Sequence, residues 1–260
     1  MRVVRNTGYI KRQKRTSRIL VWVGVLVLAS TILITQFQPD WILFGYGLLI
    51  LGFIVFSNGM QESTKWNGKP RADEAIDDLL RRLNDRYTII HYPEMLEKKL
   101  VGRRPEHVLV YSGGVMIITA RGLPGKFKVE GNRWKRERKG LAKIMIFGGD
   151  PLKNPSIECV EQQRVLRTFL EARGISIDED LIEGLVAFPN PKAEVEIISS
   201  DLAVVTAKEL YPAIRDLGTE ARLHAKERDQ IIEVLSQGNG VEGPITLPQQ
   251  SKGTKGAHAT

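Results

Sequence analysis

The sequence predicts an α/β protein with a mixed central sheet flanked by helices, preceded by a transmembrane helical hairpin. Two apolar stretches stand close together near the N-terminus, at residues 19–35 and 41–56, and neither contains a charged side chain. From residue 57 onward the composition is that of an ordinary globular protein, in which short β-rich runs alternate with amphipathic helical segments. This change of composition divides the chain into a membrane part and a globular part.

Each apolar stretch is slightly shorter than the roughly 20 residues that cross a bilayer core. Ser17 and Ser57 can extend the helices, Trp41 is typical of the headgroup level, and residues 38–40 supply a tight turn. One alternative is a signal peptide, but the small residues Ala29 and Ser30 are followed by more apolar sequence instead of a mature start. The other is a hairpin buried in a soluble protein. We expect two transmembrane helices within residues 19–56.

The charges around these helices predict their orientation. Seven cations and no acid precede the first helix, the loop carries no lysine or arginine, and Lys65, Lys69 and Arg71 follow the second helix. The positive-inside rule therefore predicts a multi-pass protein of the cell membrane whose two termini and α/β domain are cytoplasmic. A single cysteine, Cys159, fits a reducing compartment.

The remaining boundaries follow from local composition and periodicity. We expect a basic cytoplasmic arm at residues 1–18, a polar linker at 57–71, the α/β domain at 72–218, a C-terminal helix at 219–236 and a disordered tail at 237–260. The domain should open with a helix, because apolar residues recur at helical spacing and acids crowd its first turn. The apolar residues of this helix are Ile76, Leu79, Leu80 and Leu83.

Strands are predicted next, at residues 87–92, 107–111 and 115–120, with a glycine turn between the last two. A second hairpin is expected at 126–129 and 133–135. Asn154 and Pro155 are typical of a helix start, and the helix they open should end near Gly174. Strands at 184–188, 194–198 and 202–205 then precede helices at 208–217 and 220–235. The predicted apolar stripe of the Asn154 helix is Val160, Leu166, Phe169 and Leu170.

Several common catalytic patterns are missing from the sequence. Residues 122–126 are too short for a phosphate-binding loop, and no dinucleotide fingerprint is present. The residue two places before Ser112 is Val110 instead of the glycine of a nucleophile elbow. The four histidines are scattered without the spacing of a zinc site, so we expect surface or core roles for them.

An ordered set of features resembles the nuclease-related domain (NERD) family, which is itself similar to the PD-(D/E)XK restriction-endonuclease-like fold. The resemblance runs from about Ala72 to Leu217. The features are Glu74 after the linker, the run from Glu106 to Val110 followed by Gly114-Val115, Trp134 after the hairpin, Asn154-Pro155, the run from Gly184 to Phe188, and Ala203-Val204-Val205.

The resemblance implies a metal site built from a glutamate on the first helix, an aspartate that opens a strand, and a Glu-x-Lys at the end of the next strand. Such carboxylates would hold Mg²⁺, and the lysine would position or activate water. In this chain Glu74 is kept, Glu106 replaces the aspartate, and Thr119 and Arg121 stand at the Glu-x-Lys positions. The family's glutamine after Asn-Pro is replaced by Glu158. Glu74 and Glu106 are thus the candidate metal ligands of a degenerate motif.

Thr119 is the most damaging of these departures, because a neutral hydroxyl stands where a carboxylate should offset the charge of the cation. Arg121 keeps a positive charge but is a poor proton acceptor, since its pKa is about 12.5 or more. Without the resemblance, Glu74 reads as a partner of the helix dipole and Glu106 as a solvated acid at a strand end. Glu130 is the nearest acid that a shifted, active site could use.

The other candidate site is a basic segment that could bind nucleic acid or lipid. With a formal charge of +8 the chain favours an acidic partner, and this segment holds the densest group of cations. It could neutralise DNA or RNA phosphates while its aromatic residues stack on bases, it could rest on anionic lipid, or it could be an ordinary solvated hairpin. Its candidate binding residues are Lys126, Lys128, Arg133, Trp134, Lys135 and Arg136, and Arg138, Lys139 and Lys143 follow.

Together these patterns predict a membrane-anchored nuclease-related domain that has lost catalysis and acts by binding, with nucleic acid as one candidate partner. Two alternatives stay open: an active Mg²⁺-dependent nuclease, and a membrane scaffold without a nucleic-acid role. An active site would need at least two carboxylates within reach of one metal ion, beside a lysine or arginine.

Overall fold

The structure is a computed structural model of the whole chain, and it describes residues 1–37, 39–95, 102–137, 152–217, 222–237 and 241–242. It is a mixed α/β protein, and two long apolar helices near its N-terminus are long and apolar enough to cross a membrane. The prediction of a mixed sheet flanked by helices, with an apolar hairpin before it, is confirmed at this level.

The chain begins with strand β1 (Arg2–Asn6), which leads directly into helix α1 (Thr7–Phe37). A short 3-10 turn (Pro39–Trp41) reverses the chain into α2 (Ile42–Asn67). Only 11% and 17% of the most apolar stretches of α1 and α2 are buried, which is far less than a core helix of a soluble protein shows. Their exposed apolar surface therefore favours contact with lipid.

The two helices pack through small residues that recur every seven positions. On α1 the buried positions include Ser17, Gly24 and Thr31, and on α2 they include Gly45, Gly52 and Gly59. A heptad repeat keeps one stripe of each helix facing the other. A side-chain carbon added at Gly24 would lie 2.6 Å from the Phe56 backbone, so the helix backbones approach closely there.

The globular part is built on a seven-stranded sheet of order β10-β1-β2-β3-β4-β7-β9. The pairs β1–β2, β4–β7 and β7–β9 are parallel, and the pairs β1–β10, β2–β3 and β3–β4 are antiparallel. The strands are β2 (Thr88–His91), β3 (His107–Tyr111), β4 (Gly114–Ala120), β7 (Ile182–Phe188), β9 (Ala203–Thr206) and β10 (Val241–Glu242).

Helices cover both faces of this sheet. One face packs against α4 (Pro155–Ala172) and α6 (Ala225–Ser236), and the other packs against α3 (Ala72–Leu80) and α5 (Leu210–Leu217). Successive residues of each strand alternate between the two cores, so that Val108 faces α4 whereas Leu109 faces α3. Because both faces are covered, the central strands are predominantly apolar instead of alternating with polar residues.

A smaller three-stranded sheet, of order β6-β5-β8, extends from the main one. It comprises β5 (Gly125–Glu130), β6 (Arg133–Arg136) and β8 (Ala193–Ser199). Its inner face contributes Phe127, which packs against Phe188 of β7 with ring centroids 4.7 Å apart. The predicted hairpin is therefore real, and one of its two aromatic residues is fully buried.

Three predicted boundaries differ from the structure. The arm at residues 1–18 is β1 followed by the first turns of α1, because Val3 and Val4 complete the two cores beside β2. The linker at 57–71 is helical as far as Asn67, since Trp66 is buried against the domain and holds the last turn in place. Of the predicted tail, the structure describes only Gln237 and the strand β10, so the rest lies outside the described residues.

One predicted apolar stripe is also wrong in part. Val160 is 55% exposed, whereas Cys159 and Gln162 of the same helix are buried. The buried face of α4 begins one residue earlier than the apolar pattern indicates, because Cys159 packs against Gly184 of β7. The other three stripe residues lie in the core as predicted.

Candidate functional site

Two of the positions that the nuclease resemblance singles out, Thr119 and Arg121, lie at the end of β4, where their side chains contact α4. Thr119 is the second to last residue of β4 and is 2% exposed. Its hydroxyl donates to Gln162 Oε1 at 3.0 Å, and the Gln162 amide donates to Glu158 Oε1 at 3.3 Å. Gln162 and Glu158 both belong to α4, so the threonine hydroxyl is hydrogen-bonded within the protein.

Arg121 follows on the same side and completes this group. Its Nη2 lies 2.7 Å from Glu158 Oε2, and its Nε donates to the carbonyl of Leu152 at 3.0 Å. Arg103 forms a second ion pair with the same Glu158 oxygen. Glu158, which is 6% exposed, is thus held by two guanidinium groups. We call this group the strand-end network: Thr119, Gln162, Glu158, Arg121 and Arg103.

Glu106 lies near this network, but its carboxylate is turned toward the apolar hairpin. It precedes β3, and its carboxylate forms an ion pair with Lys65 in the last turn of α2. Burial acts to raise the pKa of Glu106, but the Lys65 ammonium and the more distant Arg121 outweigh it, so this pKa is lowered. The glutamate therefore stays ionised and joins the hairpin to the domain.

Glu74, the other predicted metal ligand, lies at the start of α3. Its Oε1 lies 2.8 Å from Arg71 Nη1, and its Oε2 accepts the backbone N–H of Arg71 at 3.1 Å. These contacts form a capping box, in which an acid in the first turn satisfies a backbone donor that the helix leaves free. Both carboxylate oxygens of Glu74 are therefore in contact with Arg71, and neither of these contacts involves Glu106 or Thr119.

The acids at and near the motif positions are each paired with a cation in the part of the chain that the structure describes. Among those residues no group of three or more His, Cys, Asp or Glu side chains could hold a metal ion. Glu74, Glu106 and Glu158 each have an arginine or lysine partner instead. Glu130 lies on the exposed face of the small sheet, away from all three.

A second polar cluster, which the sequence did not reveal, lies where β1, β2, β3 and α3 meet. His91 Nδ1 and His107 Nδ1 are 2.8 Å apart, and His91 Nε2 lies 2.8 Å from Asp77 Oδ1. Arg5 of β1 pairs with both Asp77 and Asp73, and Asp73 is fully buried. We call these five residues the junction cluster.

Burial and neighbouring charges shift the pKa values of two residues of the junction cluster. Burial acts to raise the pKa of Asp73, but its hydrogen bonds from Arg71 and the charge of Arg5 outweigh it, so this pKa is lowered. Burial, and after it the proximity of His91, lowers the pKa of His107 to about 3. His107 is therefore neutral at physiological pH, and its buried Nε2 has no hydrogen-bond partner among the residues that the structure describes.

Aromatic rings surround the junction cluster on the side of the hairpin. Tyr9 of α1, Trp66 of α2 and Tyr92 after β2 pack together, with ring centroids between 5.2 and 5.7 Å apart. Trp66 Nε1 donates to Glu62 at 2.9 Å. The two helices and the sheet thus share one packed junction.

In the folded protein, acids lie beside the lysines of the basic segment, which the sequence alone does not show. Strand β8, which pairs with β5, places Glu194 beside Lys126 at 3.1 Å and Glu196 beside Lys128 at 3.5 Å. The exposed face of the small sheet therefore carries four cations and three acids, and its charge is nearly balanced. The cations are Lys126, Lys128, Arg133 and Lys135, and the acids are Glu130, Glu194 and Glu196.

The aromatic residues of this segment pack within the protein. Phe127 is 1% exposed, and Trp134 stacks against Phe188 while its Nε1 donates to Ser156 at 2.9 Å. Arg136 donates to the carbonyl of Pro124 and lies over the Phe127 ring. Arg133 and Lys135 alone among the six predicted binding residues are exposed and without an acid at ion-pair distance in the described chain. Arg138, Lys139 and Lys143 lie outside the described residues.

Comparisons with known proteins add no identification: no protein-family model, no curated protein and no solved structure matches this chain. The nuclease-related resemblance therefore remains a prediction that rests on the residues quoted for it.

Sequence reasoning missed the histidine pair and the acids that balance the basic segment, although the sequence held partial signals for both. Residues 91 and 107 are directly opposed in the β2–β3 register, but that register depends on a connection that the sequence does not define. The acids at alternate positions of β8 were visible, yet their pairing with β5 joins strands more than 60 residues apart. Long-range strand pairing is what a pattern along the chain cannot supply.

Proposed function

We propose that this protein is a membrane-anchored nuclease-related domain, restriction-endonuclease-like in fold, which has lost catalysis and acts by binding. The observation that carries the proposal is the strand-end network. At the position of a nuclease's metal-binding carboxylates, Thr119 donates to a glutamine and the nearby Glu158 is neutralised by two arginines. A divalent cation would have to displace those arginines to gain one carboxylate.

The order of elements supports the fold assignment within this proposal. Helix α3, the strands β2, β3 and β4, helix α4 and strand β7 follow one another, and β4 pairs in parallel with β7. The resemblance places the motif on α3, before β3 and at the end of β4, and Glu106, Thr119 and Arg121 do lie at neighbouring strand ends.

For orientation, we propose that both ends of the hairpin and the α/β domain are cytoplasmic. The support is that β1 lies within the sheet while Lys65 and Trp66 contact the same domain, so α1 starts and α2 ends on one side. The flanking cations select the cytoplasmic side. Labelling of a cysteine placed at Asp40 from outside intact cells, with none at Ser63, is expected; labelling at Ser63 alone would reverse the orientation.

The catalytic part of the proposal is tested with the full chain in lipid nanodiscs. We expect no Mg²⁺- or Mn²⁺-dependent cleavage of plasmid DNA or of labelled RNA. Thr119→Glu with Arg121→Lys, and then with Glu106→Asp, rebuilds the motif and is the gain-of-function arm. Cleavage by the unmodified protein that disappears in Glu74→Ala, but persists in the exposed control Glu227→Ala, would refute loss of catalysis.

Nucleic-acid binding is a second candidate, favoured by the exposed and unpaired Arg133 and Lys135 of β6. Because the acids of β5 and β8 together balance most of the charge, we expect weak binding with a shallow salt dependence. Arg133→Glu with Lys135→Glu should abolish it, whereas Glu194→Gln with Glu196→Gln should strengthen it. Filter binding of labelled single-stranded DNA to nanodisc-bound protein measures both changes, and equal binding by all three proteins excludes this surface.

A further inference from the structure

Helix α1 extends well beyond its apolar part, and the additional turns carry a stripe of cations. Lys11, Lys14, Arg15 and Arg18 are spaced i, i+3, i+4 and i+7, which places them on one face of the helix. Lys14 is half-buried, and the other three are exposed. We call these four residues the basic stripe.

The basic stripe lies to one side of the face of α1 that packs on α2. The face of α1 that packs on α2 is marked by the buried residues Ile10 and Ser17. At about 100° per residue, the centre of the stripe lies roughly a quarter of a turn from that seam. Helix packing therefore leaves the stripe facing the surroundings.

No acid neutralises the basic stripe in the described part of the chain. Helix α1 contains no Asp or Glu, and none of the four side chains has a carboxylate at ion-pair distance there. The single acid of α2, Glu62, accepts the indole N–H of Trp66. This differs from the small sheet, where neighbouring acids balance the lysines. The stripe is an unbalanced charge of about four.

The position of the stripe along the helix matches the boundary of a bilayer. It ends at Arg18, directly before the apolar part, and Trp22 follows four residues later on the same face with 67% exposure. Tryptophan is typical of the membrane interface. The stripe covers about 10 Å of helix axis, and the headgroup layer on each side of a bilayer is about 5–8 Å deep. The four cations thus fall at and just above the lipid phosphates.

We propose that the basic stripe is a binding surface for anionic phospholipid headgroups in the leaflet that faces the α/β domain. The proposal rests on the membrane insertion proposed above and adds a lipid class to it. Lysine and arginine side chains at this depth can reach headgroup phosphates while their carbon chains lie along the helix. Each cation near an anionic surface should favour an anionic over a zwitterionic lipid by roughly fivefold.

A nucleic acid is the other polyanion that this charge could take. The geometry favours lipid, because the stripe continues directly into the apolar part of α1 and ends at an interfacial tryptophan. A nucleic-acid duplex would have to approach the same leaflet, whose own surface is negative, to reach Lys14, Arg15 and Arg18. We therefore treat nucleic acid as an outcome of the test.

The test uses the full chain, reconstituted in nanodiscs that contain equal amounts of phosphatidylcholine and phosphatidylglycerol. Native mass spectrometry after release from the nanodisc reports which lipid stays bound. The variant is Lys14→Gln with Arg15→Gln and Arg18→Gln. The control removes the same amount of charge at a site remote from the hairpin. It replaces three exposed arginines between α3 and β2: Arg81→Gln, Arg82→Gln and Arg86→Gln. A conservative variant, Lys14→Arg with Arg15→Lys and Arg18→Lys, keeps the charge.

We expect the native protein, the control and the conservative variant to retain phosphatidylglycerol preferentially, and the stripe variant to lose at least tenfold of that preference. Equal retention of both lipids by the native protein would overturn the proposal, as would an equal loss in the control. If the native protein binds labelled RNA in phosphatidylcholine nanodiscs, and the stripe variant does not, the stripe belongs to nucleic acid. Failure of every version to enter nanodiscs would instead refute the membrane anchor.

Discussion

Individual polar side chains in this protein are neutralised by partners that come from distant parts of the chain. Glu106 is paired with Lys65 of the hairpin, Glu158 with two arginines, and Asp73 with Arg5 of β1. A buried or half-buried carboxylate with a cationic partner is held ionised. Glu106, which suggests a metal site in the sequence, therefore connects the hairpin to the domain in the folded protein.

His107 provides a prediction about pH at this scale. Its pKa is lowered to about 3 in the folded protein, whereas the unfolded chain takes up a proton near the ordinary value of 6.5. Between those values only the unfolded state binds the proton, so stability falls as the pH drops through this window. The slope from this one group is about 1.4 kcal/mol per pH unit. Around it stand His91, Asp73, Glu106 and Lys65.

The measurement is urea unfolding of the full chain in detergent at several pH values between 7.5 and 5. His107→Gln keeps a group that can hydrogen-bond to His91 but does not titrate, so its stability should depend less on pH. His224→Gln, at an exposed helix start, is the control and should follow the native protein. Carboxylates such as Glu106 add their own loss only below about 4.5, as the pH approaches their lowered pKa. Parallel curves for the native protein and His107→Gln would contradict the assignment.

At the scale of elements, periodicity along the chain was a good guide wherever one face of an element is buried. The strand at residues 107–111 and the helix that Pro155 opens agree with their predictions. The pattern failed where the deciding partner is remote. Residues 2–6 are polar enough to resemble an arm, yet Val3 and Val4 are buried because β2 pairs with them. In the same way, the cations of β5 appeared unopposed until β8 was placed beside them.

The heptad spacing of small residues in α1 and α2 supports a prediction about the hairpin. Gly24 and Gly59 face backbone atoms of the opposite helix, and an added side-chain carbon would lie 2.6 and 2.7 Å from them. Alanine at either position must push the helices apart, at a cost of about 1–3 kcal/mol. Gly47, in the same hairpin, has no atom within 4 Å of such a carbon and is the matched control.

This difference can be measured by titrating bicelle-reconstituted protein with sodium dodecyl sulphate and following the loss of helix contact by energy transfer between labels on α1 and α2. Gly24→Ala and Gly59→Ala should lower the midpoint, and Gly47→Ala should leave it unchanged or raise it, because alanine favours helix. If all three substitutions behave alike, the close approach of the helices at these glycines is wrong.

At the scale of the whole molecule, the hairpin is an insertion between two neighbouring parts of one folding unit. Strand β1 precedes the hairpin and β2 follows it, yet the two strands pair in parallel side by side. Tyr9, Trp66 and Tyr92 then pack across the point where the chain leaves and re-enters the domain. The packing of these rings therefore couples the apolar hairpin to the α/β domain.

This arrangement predicts that the domain cannot be isolated by cutting after the hairpin. A fragment that begins at Lys69 lacks β1, so it loses the burial of Val3 and Val4, worth about 1.5–3 kcal/mol each. It also loses the ion pairs of Arg5 with Asp73 and Asp77, so the buried Asp73 keeps only Arg71 as a cationic partner in the described chain. The loss of burial alone is a large part of the stability of an ordinary domain, which is about 5–15 kcal/mol. We expect the fragment to be aggregated or unfolded.

Restoring β1 should rescue it. Residues 1–6 joined to residue 68 by a flexible Gly-Ser linker, in place of the hairpin, should give a soluble protein with a cooperative thermal transition by circular dichroism. Val4→Asp in that linked protein tests whether β1 is part of the fold. It puts a charge into the core beside Ile90 and Ile231 and should abolish the transition, although the length and the linker are unchanged. Arg2→Asp is the control, because it changes an exposed position of the same strand. If the fragment from Lys69 is as stable as the linked protein, or if both substitutions are tolerated equally, then β1 does not belong to the folding unit and the coupling between anchor and domain is lost with it.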